Sequence, residues 1–120
     1  MGMVDLILKM LVDGEKSTSE KALGFLESIC NWKVGREKPC ENALIMPILV
    51  KKILRVSELA TKFTVSTLLK LCKEVDDESH VIEALQFGAF QKLLVVLQVG
   101  CGEMTITKIT ELLKLMNLDT

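Results

Sequence analysis

Four cysteines are the residues of this chain best suited to metal binding or redox chemistry. Cys30, Cys40, Cys72 and Cys101 lie far apart, and no two of them form a C-x-x-C pair. A zinc site or a redox pair needs thiols and imidazoles at short, regular spacings, which this sequence does not provide. Cys30 and Cys72 fall among apolar residues, which favours buried thiols that pack as small hydrophobic side chains. We therefore expect neither a metal nor a cofactor.

The chain also lacks a recognisable catalytic motif. His80, the single histidine, lies in a polar, acidic segment with no serine or cysteine placed to use it, so we expect a surface histidine. The acidic run over residues 74–78 is more typical of a solvated helix start than of a metal site. Gly100-Cys101-Gly102 follows a helical pattern and lacks the strand and the lysine of a phosphate-binding loop. We predict no catalytic residues.

The elements that would position any site are predicted to be helices. Residues 41–73 indicate two helices that meet at a corner. Met46-Pro47 opens the first, because proline is tolerated in the first turn of a helix. Ser57 is suited to cap the second, in which apolar residues from Leu59 to Cys72 recur at steps of three and four.

The same apolar pattern occurs three times along the chain. A shift of 42 residues places Leu23, Leu26 and Cys30 on Val65, Leu68 and Cys72, and a shift of 44 places the latter helix on residues 109–115. A helical period in the low forties is typical of armadillo and HEAT arrays. We predict an all-α, armadillo-type α-solenoid of two and a half to three repeats, approximately residues 1–31, 35–73 and 77–117, with about eight helices.

Three features refine this prediction. Ser17 and Glu20 have the spacing of a capping box, which predicts a helix over residues 17–31. A short helix is predicted over residues 36–44, with Pro39 early enough to be tolerated. A solenoid normally closes its ends with polar faces, whereas this chain starts directly on an apolar helix. We therefore expect a chain cut from a longer array, and self-association through that helix by Val4, Ile7, Leu8 and Leu11.

Composition excludes several classes of protein. Hydrophobic residues make up 49% of the 120 residues and charged residues 26%, which indicates a folded domain. A net charge of −1 argues against nucleic-acid binding. No apolar run approaches the roughly 18–20 residues of a membrane span, and no secretory leader is visible. We expect a reducing, intracellular and cytoplasmic location.

With these residues laid out, the chain resembles the C-terminal armadillo-repeat region of plant U-box domain-containing ubiquitin-protein ligases. The resemblance is carried by Gly35-Arg36-Glu37 and by the segments ENALIMPILVKKILRVSELAT, VSTLLKLCK, IEALQFGAFQKLLVVLQVGCG and TELLKLMN. It implies that the repeats hold a substrate or regulator while a U-box docks a ubiquitin-conjugating enzyme, in plant immune and stress signalling. This chain contains no U-box, so we expect no ligase activity from it alone and contact with a conjugating enzyme only through a U-box that it lacks.

The resemblance also implies a candidate partner-binding groove along the third helix of each repeat. The position that is often asparagine in armadillo proteins falls on Ser28, Lys70 and Lys114, and the position that is often tryptophan falls on Gly24, Ser66 and Thr110. Without that Trp/Asn ladder, an importin-like carrier of basic peptides is disfavoured. The lysines favour an acidic or phosphorylated partner; the alternative is that they are only solvated positions on an amphipathic helix.

The resemblance leaves two functions open. The first is a substrate- or regulator-binding armadillo module of a plant U-box ubiquitin-protein ligase. The second is a stand-alone armadillo scaffold or decoy without a role in ubiquitin transfer. An enzyme in its own right would need a polar pocket with a base and a nucleophile, which the sequence does not supply.

Overall fold

The computed structural model describes residues 2–54, 56–74 and 78–117, and all the regular secondary structure in those ranges is α-helical. The eight helices of the described residues are α1 (Met3–Asp13), α2 (Lys16–Cys30), α3 (Lys33–Glu41), α4 (Ile45–Lys52), α5 (Glu58–Glu74), α6 (Ser79–Gln86), α7 (Ala89–Val99) and α8 (Glu103–Asn117). The all-α prediction is confirmed. Under the predicted repeat division, these helices group as α1–α2, α3–α5 and α6–α8.

Three long helices form the centre of the molecule. Helices α2, α5 and α8 lie side by side with α5 in the middle, and the shorter helices pack against them. The predicted apolar faces are buried except at Leu59, which is exposed in the first turn of α5, and Leu26, Leu68 and Leu112 are among the largest fully buried side chains. Burying a leucine side chain contributes about 1.5–3 kcal/mol, so this shared core accounts for a large part of the stability.

The corner between α4 and α5 is closed by side-chain hydrogen bonds. The Ala60 amide donates to Ser57 Oγ over 3.1 Å, which confirms Ser57 as the cap of α5. The predicted capping box of Ser17 and Glu20 is wrong, because α2 begins at Lys16 and has no side-chain cap. The Glu20 carboxylate instead accepts a hydrogen bond from the Ser57 hydroxyl, which ties α2 to the start of α5.

Helix α3 lies three residues earlier than predicted, and its proline is near its end rather than near its start. The earlier start of α3 depends on Gly35. A Cβ atom at this position would lie 2.1 Å from the Ile29 carbonyl oxygen. The absence of a side chain lets the first turn of α3 approach the end of α2 closely. Arg36 reinforces the approach by donating from Nη1 to the Cys30 carbonyl oxygen over 2.8 Å. Pro39 is thereby buried close to the C-terminus of α3.

The prediction of a surface histidine is wrong. His80 is only 7% exposed, and its Nε2 lies 3.3 Å from the Cys40 carbonyl oxygen at the end of α3. Because α6 begins at Ser79, His80 falls one turn before the buried Ala84 and shares its face. His80 Nδ1 is buried without a hydrogen-bond partner among the described residues. Most of the acidic run that precedes it, residues 75–77, lies outside the described residues.

The apolar residues of α1 that were predicted to mediate self-association are buried in the chain's own core. Val4, Ile7, Leu8 and Leu11 form the inner face of α1, which packs on α2. The prediction is wrong for these four residues because α2 and, from the following repeat, α4 cover this face of α1. The apolar side chains that are exposed on α1 and α2 are Met3, Leu6, Val12 and Phe25.

Helices α6 and α7 meet at a sharp bend. Gly88 joins them with a φ of 87°, a left-handed conformation that glycine adopts readily. Among the described residues, no single helix is long and apolar enough to cross a membrane. The α6–α7 pair reaches the required length and composition only when taken together, and its two helices are bent by 72°.

Candidate partner-binding surface

The six residues predicted to line the groove lie on the three central helices, two on each. Residues four apart on a helix share one face, so each pair spans a single turn. Ser28, Thr110 and Lys114 are exposed, Gly24 and Lys70 are half-buried, and Ser66 is buried. Of these six, the structure brings Ser66 and Lys70 into one hydrogen-bonded network, whereas Ser28, Thr110 and Lys114 stand apart from it.

Lys70 lies at the centre of this network and links α5 to α2. Its Nζ donates to Glu27 Oε1 over 2.5 Å and also to the Asn31 side-chain oxygen. The Ser66 hydroxyl donates to the same Glu27 oxygen over 3.1 Å. Lys70 is therefore not an isolated surface charge, because its ammonium group is hydrogen-bonded to two side chains of α2, Glu27 and Asn31.

The network continues from α5 to α8. Lys108 Nζ donates to Ser66 Oγ over 3.2 Å, so Ser66 accepts from one helix and donates to the other. Two turns further along α5, Lys73 Nζ lies 3.3 Å from Glu111 Oε2 of α8. A continuous chain of polar contacts thus crosses all three central helices.

The network carries an excess of positive charge. Its carboxylates are Glu27, which Lys70 contacts, and Glu111, which Lys73 contacts, while Lys108 contacts Ser66. Partial burial pushes the pKa of the Glu27 carboxyl upward. The hydrogen bond and charge of Lys70, helped by Ser66 and Lys108, outweigh this effect and hold that pKa below its ordinary value. Glu27 is therefore ionised at neutral pH. Three lysines against two carboxylates leave one positive charge in excess in the network, and the exposed Lys114 is a further positive charge on α8.

Gly24 serves packing rather than contact with a partner. A Cβ atom at this position would lie 3.1 Å from the ring of Phe63, tighter than an ordinary contact. The glycine therefore allows the Phe63 ring of α5 to lie against the backbone of α2. It sets the spacing between the two helices that carry Glu27 and Lys70.

Sequence reasoning missed three members of the network, namely Glu27, Asn31 and Lys108. A signal for Glu27 was present in the repeat, because its equivalents 42 and 86 residues later are Leu69 and Leu113. A carboxylate at a position that is otherwise leucine indicates a polar partner on the neighbouring helix. The partner itself could not be read from the sequence, since Lys70 is 43 residues away.

A cleft lies between two helix corners. A cleft of about 1130 Å³ opens between the α4–α5 corner and the α7–α8 corner. Exposed apolar side chains line it, including Leu54, Leu59, Val99 and Met104. Its charged lining residues are of both signs, Lys16 and Lys62 with Glu58 and Glu103, so the cleft has no clear preference for a charged ligand.

The thiols are poorly suited to nucleophilic chemistry. Burial raises the pKa of Cys30 to about 11 and that of Cys72 to about 12. The pKa of Cys101, which lines the cleft, is also raised, by desolvation and by the charge of Glu58. The thiolate forms of these three cysteines are therefore scarce at neutral pH. Within the described ranges, no three His, Cys, Asp or Glu side chains are grouped to hold a metal ion.

Comparison with known proteins agrees with this helical architecture. The family model of the plant U-box protein ARM repeat region matches residues 1–120. U-box domain-containing proteins 20 and 21 of Arabidopsis thaliana are 56% and 53% identical to the chain over 117 residues, which is 98% of this chain. E3 ubiquitin-protein ligase PUB22 of the same plant is 36% identical over 118 residues, or 95% of this chain.

The match covers only part of each relative. The chain spans 26% of U-box domain-containing protein 20 and 27% of each of the other two, about a quarter of the curated relatives' length. No solved structure matches the chain. The family model covers every residue and the relatives are similar across nearly the whole sequence. The chain therefore belongs to the armadillo-repeat region of plant U-box proteins.

Proposed function

We propose that this chain is the substrate- or regulator-binding module of a plant U-box ubiquitin ligase, and that its partner binds the exposed face of α2, α5 and α8. The observation that carries the proposal is the network of Lys70, Lys108 and Glu27, together with the exposed Lys114 of α8, which leaves an excess of positive charge on these helices. A relative that is 36% identical carries the name E3 ubiquitin-protein ligase, which supports the link to ubiquitin transfer.

The partner that suits this face carries an acidic or phosphorylated segment. Lys114 is exposed, and no carboxylate of the described residues forms an ion pair with it, so it is available to an incoming anion. Lys70 has three N–H donors, and Glu27 and Asn31 engage it from the α2 side. Hydrogen bonds that join a lysine to a phosphate are charge-assisted and stronger than neutral ones.

The mechanism is positioning. Contacts such as Lys70 to Glu27 and Lys73 to Glu111 tie the three helices together before a partner arrives. A surface that is already ordered loses less conformational entropy on binding. The module then holds its target close to a ubiquitin-charged conjugating enzyme, which a U-box elsewhere in the ligase would dock.

The proposed setting is the cytoplasm, in plant immune and stress signalling. All four cysteines are free thiols, which is in keeping with a reducing compartment. Fluorescence microscopy of a tagged full-length chain tests the location, and a signal confined to a secretory compartment would contradict it.

Peptide binding tests the chemistry of the face. Pairs of acidic peptides, each made with and without phosphoserine, are titrated against the chain and against Lys114→Glu and Lys70→Gln. We expect phosphorylated peptides to bind best, with losses of about tenfold or more for Lys114→Glu, the size of one charge-assisted hydrogen bond. Lys38→Glu, an exposed position on α3, is the charge-matched control and should change little. Equal losses for Lys38→Glu, or a preference for basic peptides, would contradict the proposal.

Ubiquitination tests the role in the ligase. These 120 residues are exchanged for the matching segment of U-box domain-containing protein 20, and the chimera is compared with the chain alone in the presence of charged conjugating enzyme. We expect the chimera to modify a protein that the chain binds, and the chain alone to transfer no ubiquitin. A chimera that modifies itself but never the bound protein would favour the scaffold or decoy.

A further inference from the structure

The single tryptophan of the chain is exposed where the first two repeats meet. Trp32 is 74% exposed and joins the end of α2 to the start of α3. Tryptophan is enriched among the residues that contribute most to binding at protein interfaces. A single exposed apolar side chain is common on protein surfaces, but three further features distinguish Trp32: an ordered backbone, a position next to Lys70 and positively charged surroundings.

The backbone that carries Trp32 is held by hydrogen bonds on both sides. Its amide donates to the Ile29 carbonyl oxygen over 3.3 Å, and its carbonyl oxygen accepts from the Arg36 amide over 3.1 Å. Arg36 Nη1 also donates to the Cys30 carbonyl oxygen, so the first turn of α3 is tied to the end of α2. The indole is therefore presented from an ordered backbone, which lowers the conformational entropy lost when a partner covers it.

Trp32 also lies next to the central lysine of the proposed partner-binding face. The preceding residue, Asn31, accepts a hydrogen bond from Lys70 Nζ through its side-chain oxygen. One hydrogen bond, a short side chain and one peptide unit thus separate the Lys70 ammonium group from the Trp32 Cα atom, a distance of at most about 10 Å. Because Asn31 contacts α5, Trp32 lies at a junction of two repeats and not on the outer side of the first or last helix.

The surroundings of Trp32 are positively charged. Lys33, the next residue, is exposed, and the first turn of α3 contains no acidic residue. Over its whole length α3 has three basic and two acidic residues. Lys70 contributes a further positive charge, which Glu27 balances from the α2 side. An acidic or phosphorylated group suits the two lysines, and an apolar side chain suits the indole between them.

We propose that Trp32 determines which partners bind this face, and that the partner segment carries an apolar side chain two or three residues from its acidic or phosphorylated residue. This inference rests on the proposed function, because it takes Lys70 as the group that binds the anion. An extended segment advances about 3.3–3.6 Å per residue, so two or three residues cover the span from Lys70 to the indole. The apolar side chain then packs on the indole, and an aromatic side chain adds a ring contact.

The fluorescence of the chain tests this proposal directly, because Trp32 is the single tryptophan and the chain contains no tyrosine. Tryptophan-free peptides are made with phosphoserine and with leucine two or three residues away on either side. Matched peptides carry alanine in place of the leucine. We expect a bound leucine peptide to shift the emission of Trp32 to shorter wavelength and to reduce its quenching by acrylamide. The alanine peptides should produce a smaller change in both.

Variants of the chain measure the contribution of the indole to affinity. Trp32→Ala should weaken binding of the best leucine peptide by about tenfold, whereas Trp32→Phe should retain most of the affinity. The alanine peptide should bind the parent and Trp32→Ala equally well. Val99→Ala, at an equally exposed residue of the α7–α8 corner, is the control and should change little. Anisotropy of labelled peptides measures the affinities, and circular dichroism checks that each variant is folded.

The outcomes separate this inference from the proposed function. Peptides that show the expected loss with Lys114→Glu, yet leave the emission of Trp32 unchanged and bind Trp32→Ala as tightly as the parent, would overturn the inference and leave the proposed function intact. Equal losses for Val99→Ala and Trp32→Ala would also overturn it, because the effect would then not be local to the indole. A panel in which no acidic or phosphorylated peptide binds would overturn both.

Discussion

The core of the helix stack can be tested most directly at Leu68. This side chain is fully buried in the middle of α5, the helix that packs against both α2 and α8. We expect Leu68→Ala to lower the free energy of unfolding by about 3–5 kcal/mol, in the upper part of the range measured for buried leucines.

The upper part of the range applies because the site has little room to collapse. Helix α5 packs against α2 on one side and α8 on the other, where Leu26 and Leu112 are themselves fully buried. If the neighbouring helices cannot move inward, the cavity left by the missing atoms persists, and its cost adds to the lost transfer free energy. The total stability of a chain of this length is roughly 6–18 kcal/mol, so the change is large enough to measure.

Urea unfolding followed by circular dichroism measures the effect. The midpoint should fall while the slope stays unchanged, because the same surface is exposed on unfolding. Leu59→Ala in the first turn of α5 is the control; Leu59 is exposed, so its loss should cost less than about 0.5 kcal/mol. A cost for Leu68→Ala as small as that of the control would show that the buried face of α5 has been assigned wrongly.

Three further predictions follow from the geometry. Cys30 and Cys72 should resist iodoacetamide at pH 8 in the folded chain and react on unfolding, because burial raises their pKa values to about 11 and about 12. Mass spectrometry of peptides measures the labelling. Gly35→Ala should destabilise the chain by about 1–3 kcal/mol in urea unfolding, since its new Cβ would lie 2.1 Å from the Ile29 carbonyl oxygen. Glu27→Gln should lower stability at pH 7 by up to about 1 kcal/mol, and the difference should vanish as the pH falls below about 4.5.

The sign of the last prediction follows from the lowered pKa of the Glu27 carboxyl. A carboxylate whose pKa is depressed by folding stabilises the chain above its ordinary pKa of 4.5 and loses that effect as protonation proceeds. Glu41→Gln, at an exposed position, is the control. A Glu27→Gln deficit that did not shrink as the pH is lowered below 4.5 would contradict the assignment. Fast labelling of Cys72 in folded protein, or a Gly35→Ala variant as stable as the parent, would contradict the other two.

Much of the fold could be predicted because helix formation leaves a periodic trace. Leu23, Leu26, Val65 and Leu68 recur at helical spacing and again at the repeat distance, so both the helices and their buried faces were accessible from the sequence. Ser57 was also predictable as a cap, because capping depends on residues three apart in the chain.

The misplaced features depend on neighbours that are distant in the sequence. His80 was assigned to the surface from its polar surroundings, but the side chain is buried by the end of α3, forty residues earlier. Glu20 was assigned to the cap of its own helix, but it bonds Ser57, 37 residues later. Helix α3 begins early because of a close approach between Gly35 and α2, and a sequence pattern carries no information on that distance.

The class of fold, the family and the lysines on the third helices can all be predicted from the sequence. Each of these depends on local periodicity or on similarity along the chain. The contacts of those lysines become known only from the packing of the helices. Lys70 forms an ion pair with Glu27, Lys108 donates a hydrogen bond to Ser66, and Lys114 is exposed. The physical reason is that a charge acts on whatever lies within a few ångströms, and in a stack of repeats its neighbours are about forty residues away in the chain.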